Sequence, residues 1–225
     1  MLPRMRSVLS KLLAVLLLQA SLPLFANTAD DFWIAIRNDQ ANAVERFVSG
    51  KQSRINDRND LSNTPLMEAI KNTSWRAYQV LLERSGLDVN AENLLGENAL
   101  MYLAILGETD RMKVLIGKGA EVNKTGWTPL HYAASQGRDE ALRLLIEHHA
   151  YLDAESPTHR LTPLMMAAQY GRRSSAMLLL EEGADGYVRN AKGQNAVEIA
   201  REAGNTVLAN EIATFLNENR RQQKR

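Results

Sequence analysis

Thr128-Pro-Leu-His-Tyr-Ala-Ala134 and Thr162-Pro-Leu-Met-Met-Ala-Ala168 are near copies of one heptapeptide, and Thr64-Pro-Leu-Met-Glu-Ala-Ile70 is a third version. Asn98-Ala-Leu-Met-Tyr-Leu-Ala104 and Asn195-Ala-Val-Glu-Ile-Ala-Arg201 keep the pattern more loosely, and Asp30-Asp-Phe-Trp-Ile-Ala-Ile36 opens the series. The starts at 30, 64, 98, 128, 162 and 195 lie 34, 34, 30, 34 and 33 residues apart. That period belongs to stacked helix pairs, not to propeller blades or heptads. Four of the copies carry a glycine nine residues after the start, at Gly107, Gly137, Gly171 and Gly204. A second apolar stretch follows, as in Leu144-Leu-Ile146 and Leu178-Leu-Leu180, and a turn closes the unit, as in Gly119-Ala-Glu-Val-Asn123 and Gly183-Ala-Asp185.

Each residue type has a physical reason to stand where it does. A threonine hydroxyl caps a helix start, and proline fits the first helical turn, where its missing N–H is not needed. Leu130, Ala133 and Ala134 recur at helical spacing, and the paired alanines let a neighbouring unit approach closely. The central glycine suits a tight turn at positive φ, and the Gly-Ala-Asp ending terminates the second helix. Two short helices cannot bury enough apolar surface alone, so the units must stack, with polar ends. Asp39 in place of the turn glycine and the polar residues after Leu216 mark those ends.

The Thr-Pro-Leu-His-x-Ala-Ala core, the glycine, the Leu-Leu stretch and the Gly-Ala-Asp-Val-Asn-like close resemble the ankyrin repeat, in step, from residue 30 to about 216. The resemblance implies an all-α solenoid of about six stacked helix-turn-helix units with short projecting β-turn or hairpin loops. The expected organisation is a signal peptide at 1–26, a repeat domain at 27–217 and a basic polar tail at 218–225.

The first 26 residues differ in kind from the rest. Arg4, Arg6 and Lys11 precede the apolar run Leu12–Leu18, and Pro23 comes shortly before the small Ala26. This is the layout of a secretory signal peptide, with cleavage expected after Ala26 and after Ala20 as second choice. The competing reading is a retained anchor, but Gln19, Ser21 and Pro23 interrupt the run short of the roughly 20 residues needed to span a bilayer. Cysteine is absent, which excludes disulfides, thiolate metal sites and a lipidated cysteine. Export without bridges points to the periplasm of a Gram-negative bacterium.

The 225 residues are 45% apolar and 24% charged, which is enough to build a core, and the 6% aromatic content favours helices over a β-sandwich. Removing residues 1–26 takes three of the 27 basic residues and none of the 26 acidic ones, leaving a net charge of −2. That balance argues against nucleic acid as a partner. The four histidines, 131, 148, 149 and 159, suggest no site. The resemblance gives His131 a structural role bonded to neighbouring backbone, and adjacent His148 and His149 point to different helix faces. Asn123-Lys-Thr125 lacks the glycines of a phosphate loop, and no nucleophile elbow, HExxH or EF-hand pattern occurs. Asn72 and Asn123 are nominal glycosylation sequons, the latter at a structural position of the repeat. No catalytic residue, metal or cofactor is expected.

Partners in this family, by resemblance, lie along the turn tips and the exposed side of each first helix. Those positions are usually polar, yet here they include Leu94, Leu95, Ile105, Leu106, Trp127, Leu161 and Tyr170. Such an apolar stripe with aromatic members is what a protein interface needs; the bland alternative is that the leucines tuck back onto the array and Trp127 covers its loop. Only Lys124 to Trp127 separate Asn123 from Thr128, so the projecting turn there should be cut short and leave a notch beside Trp127. The expectation is a monomeric, non-enzymatic scaffold for another protein, free of the membrane after cleavage. A hydrolytic site in the concave face, or tethering through residues 1–26, are the competing readings.

Overall fold

The computed structural model describes residues 29–222, so the signal segment lies outside the described residues. Six helix pairs follow one another: α1 Ala29–Arg37 and α2 Ala41–Val48; α3 Pro65–Lys71 and α4 Trp75–Leu82; α5 Ala99–Leu106 and α6 Thr109–Gly117; α7 Pro129–Gln136 and α8 Asp139–Glu147; α9 Pro163–Gln169 and α10 Arg173–Glu181; α11 Ala196–Glu202 and α12 Thr206–Gln222. Each first helix packs on its own second helix and on the first helices of the neighbouring units, so one continuous core runs along the stack. Leu66, Leu100, Leu130 and Leu164, the third residues of their units, are completely buried, as are Ala69, Ala133 and Ala167. A buried leucine contributes about 1.5–3 kcal/mol, and the alanines permit that closeness. No strand occurs among the described residues, and none of their helices is long and apolar enough to cross a membrane.

The helix starts form as the Thr-Pro pattern predicts. The Thr64 hydroxyl accepts from the Met67 amide at 3.2 Å, Thr162 from Met165 at 3.3 Å, and Asn98 from Met101 at 3.1 Å. The fourth residue of the unit completes the cap. Met67 Sδ accepts from the Thr64 N–H (3.4 Å), His131 Nδ1 from the Thr128 N–H (3.2 Å), and Glu198 Oε2 from the Asn195 N–H (2.8 Å). His131 is fully buried, and its Nε2 lies 2.8 Å from the Leu161 carbonyl of the next unit. With Nδ1 accepting, the proton sits on Nε2 and is donated to that carbonyl. The structural role expected for His131 is therefore met.

The inter-helix turn has positive φ in every unit, including the two that lack glycine: Asp39 at 52° and Thr73 at 52°, beside Gly107 at 78° and Gly137 at 71°. Side chains avoid this region, a β-branched one most of all. A second constraint operates at Gly107 and Gly137, because the Arg138 and Arg172 side chains cross them; an added Cβ would lie 3.0 and 3.2 Å from those Cδ atoms. The arginines reach past to the Ile105 and Ser135 carbonyls. Where the later units place those arginines, the unit after Asp39 has Ser74, whose hydroxyl donates to the Arg37 carbonyl, and the Asp39 carboxylate accepts from Ala77 N.

An asparagine ladder joins the closing turns. Asn56 donates to the Gly86 carbonyl and accepts from Asp88 N; Asn90 does so with Gly119 and Glu121, and Asn123 with His149 and Tyr151. Asp153 stands next in this series and makes only the accepting half, from Asp185 N at 3.0 Å.

The last helix, α12, continues past residue 217 to Gln222. Leu208, Ala209, Ile212 and Leu216 bury one face of it, and Tyr187 Oη donates to the Leu216 carbonyl. Arg220 and Arg221 then fall in the last helical turn, where cations are favourable.

Candidate partner-binding concavity

Two positions per unit shape the surface beside the tips: the residue before the helix cap and the fifth residue of the unit. In units 2 to 6 these are Asn63 with Glu68, Glu97 with Tyr102, Trp127 with Tyr132, Leu161 with Met166, and Gln194 with Ile199. The series is polar on one side of unit 4 and mainly apolar on the other, and the two halves behave differently.

In the polar half the side chains bond to one another, with Asn63 Nδ2 left without a partner among the described residues. Tyr102 Oη donates to Glu97 Oε2 at 2.6 Å, Tyr132 Oη reaches back from unit 4 to Glu97 Oε1 at 2.8 Å, and Asn93 Nδ2 donates to Glu97 at 3.0 Å and to Asn63 Oδ1 at 2.9 Å. Burial pushes the Glu97 carboxyl up, but the bonds from Tyr102, Asn93 and Tyr132 and the Lys71 charge together hold it below the usual range. Both phenols are raised, first by burial and then by the Glu97 carboxylate they donate to. Glu68 is likewise held by Asn72 Nδ2 and faces Arg37 at 3.7 Å.

In the other half the surface stays open. A concavity of about 550 Å³ runs from Trp127 across units 5 and 6, lined by Leu161, Met166, Gln169 and Tyr170, by Ile199, Glu202 and Ala203, and by the tip residues His159, Asn190, Ala191, Lys192 and Gln194. Trp127 is half-buried; its ring meets His131 edge-on at 5.2 Å and tilts against Tyr132 at 6.1 Å. Tyr170 is 51% exposed.

The tip row is interrupted beside Trp127, as the short spacing predicts. The tips of units 2 and 3 are joined by Leu94 N to the Leu61 carbonyl, and those of units 5 and 6 by Ala191 N to the His159 carbonyl. Between them the short 124–127 segment is spanned from one side by Lys124, bonded to the Gly96 carbonyl and Glu92. From the other side Pro157 leans over Gly126, where a Cβ would lie 2.9 Å from its Cγ.

Of the seven residues of the expected stripe, Trp127, Leu161 and Tyr170 share this concavity. Leu94 and Leu95 do not line it; they are 71% and 74% exposed at the apex of the unit 3 tip, where the Asn93 side chain fixes the turn by accepting from Leu95 N. Ile105 and Leu106 are half-buried at the end of α5, and Leu106 packs against the core. The stripe is thus not continuous, because the Glu97 network lies between. Met166 and Ile199 lie outside the expected stripe; the fifth residue of each unit, in the run Glu68, Tyr102, Tyr132, Met166, Ile199, carries the change of character.

Stacked helix pairs with an open groove beside their tips define a helical repeat array. Residues 77–156 match the model of ankyrin repeats in three copies and residues 159–193 match that of the single ankyrin repeat, together about half of the chain. The chain belongs to the ankyrin-repeat family. It is similar to transient receptor potential cation channel subfamily A member 1 of Homo sapiens, 29% identical over 67% of this chain and 14% of that protein. It is also similar to E3 ubiquitin-protein ligase Ufd4 of Drosophila melanogaster, 28% identical over 66% and 6%, and to putative palmitoyltransferase ZDHHC13 of Danio rerio, 28% identical over 83% and 29%. The chain therefore spans less than a third of each of these relatives.

Proposed function

We propose that this protein is a non-enzymatic scaffold of the bacterial envelope, exported through residues 1–26, that holds a partner protein in the concavity of units 4 to 6. Ankyrin repeats suggest protein interaction. The observation that carries the site is the co-location of Trp127, Leu161, Met166 and Tyr170 around one open groove, while the neighbouring Tyr102 and Tyr132 hydroxyls are taken up by Glu97. Aromatic side chains around a groove contribute much affinity for little loss of entropy, and a thioether adapts its shape to the guest.

Affinity capture from a native envelope extract tests the site. Because Trp127 also packs on His131, its truncation costs stability, so exposed Tyr170→Ala is the cleaner control. A captured partner should be lost with Tyr170→Ala at unchanged thermal unfolding; identical capture by both forms would place binding elsewhere. Export is tested by sequencing the amino terminus of the protein made in a Gram-negative host. A start at Asn27 in the periplasmic fraction is expected, and an intact Met1 in the membrane fraction would establish the tethered form instead.

A further inference from the structure

We infer that the occupant of the concavity is an extended peptide segment that places a bulky apolar side chain between Trp127 and Tyr170 and a carboxylate at Lys192; this rests on the binding role proposed above. The length of the groove argues for an extended chain. Stacked helices lie roughly 8–10 Å apart, so three units span about 20 Å, the length of about six residues in extended form.

The floor and the lip divide the recognition between them. Met166 and Ile199 replace the phenols of units 3 and 4 at the fifth position, so the floor offers apolar surface and, at Met166, a thioether that adapts to the shape of a guest. At the lip the charge balance is one-sided. Lys192 is exposed and has no ion pair among the described residues, and exposed His159 stands beside it in the lining. The lining's single carboxylate, Glu202, is engaged by Gln194 Nε2. The neighbouring cations of these two tips are already matched, Arg160 by Glu155 and Arg189 by Glu198. An unmatched ammonium at the edge of an apolar groove selects a carboxylate by complementarity.

The test is panning of a phage-displayed random peptide library on the mature chain, on Tyr170→Ala and on Lys192→Glu, with thermal unfolding of all three as the control for folding. Peptides enriched by the wild type should pair a large apolar residue with Asp or Glu within a few positions. Synthesised, they should bind Tyr170→Ala about tenfold or more weakly, and Lys192→Glu should turn the charge preference from acidic to basic. Enriched peptides without an acidic preference, or with one that survives Lys192→Glu, overturn the inference while leaving the binding site standing. Enrichment untouched by Tyr170→Ala overturns the inference and the site together. Absence of enrichment alongside Tyr170-dependent capture of an envelope protein overturns the peptide occupant alone.

Discussion

His131 Nε2 and the Leu161 carbonyl oxygen, 2.8 Å apart, tie unit 4 to unit 5 through a neutral imidazole. Protonation would turn Nδ1 from an acceptor into a donor facing the Thr128 N–H, and burial opposes the charge further; the ring is pushed down to about 4 from 6.5, although its bond to the Leu161 carbonyl acts the other way. The folded state therefore holds fewer protons than the unfolded chain between those values. The contribution of His131 is fully present above about pH 6.5 and is lost as pH falls towards 4, by about 3 kcal/mol at most. His131→Met, which copies the sulfur acceptor seen at Met67, should flatten that part of the stability curve in urea titrations at pH 7, 6 and 5. Equal pH dependence in both proteins would refute the assignment.

Thr73 holds a left-handed turn that four other units make with glycine, and its backbone N–H donates to the Ile70 carbonyl. Thr73→Gly should raise stability by about 0.5–1 kcal/mol, the relieved strain minus the extra freedom of glycine in the unfolded chain. Asp39 is a different case, since its carboxylate accepts from Ala77 N at 2.7 Å. Asp39→Gly should lose stability, and matched melting curves of the two variants would expose a shift in the wrong direction.

Asp153 lacks the donor that Asn56, Asn90 and Asn123 each use. Its carboxyl is raised, first by burial and also by the Asp185 charge, against the opposing bond from Asp185 N. A raised carboxyl binds protons more readily in the folded state, so the wild type gains stability as pH falls through that range. Asp153→Asn should add about 0.5–1 kcal/mol at neutral pH and less at acid pH. A variant no more stable than the wild type at pH 7 would show that the Gly183 carbonyl gains nothing from the amide.

Glu97 serves tyrosines from two units, so its effects should not add with theirs. Glu97→Gln is expected to cost about 1–2 kcal/mol at pH 7 and progressively less as pH falls through the depressed carboxyl, below its ordinary value of 4.5. In a double-mutant cycle with Tyr132→Phe the coupling should exceed about 0.5 kcal/mol. Strict additivity would mean that the bridge between units 3 and 4 is not formed in solution.

The fold could be read from the sequence because every unit repeats the same local chemistry. Thr-Pro at 64, 128 and 162 fixes helix starts, and a glycine nine residues after the starts at 98, 128, 162 and 195 fixes the turn, so a departure in one copy is read against the others. Positions that depart from the repeat were harder. The positive φ at Thr73 is imposed by the stack, and the helicity of residues 218–222 follows from packing of the preceding turns of α12 on the last unit. The site was legible in part. Trp127, Leu161 and Tyr170 stood out as apolar residues at polar positions, whereas Leu94 and Leu95 looked alike in sequence but project from a different tip. Whether such residues share one surface depends on what lies between them, and the Glu97 network combines residues from positions 93 to 132 that no local window contains.

Glycine at 107, 137, 171 and 204 lets the last four units bend through local preference, whereas Asp39 and Thr73 take the same bend only when neighbours hold them there. In a one-dimensional array, growth starts where local terms are favourable and spreads by nearest-neighbour docking. Assembly of this chain is therefore expected to begin in units 3 to 6 and to proceed towards the amino terminus, with reopening in the other direction. Deuterium should enter the amides of Ile36 and Ile70 before those of Ala134 and Ala168, which leaves the partner-binding end of the molecule ordered after the opposite end has begun to fray.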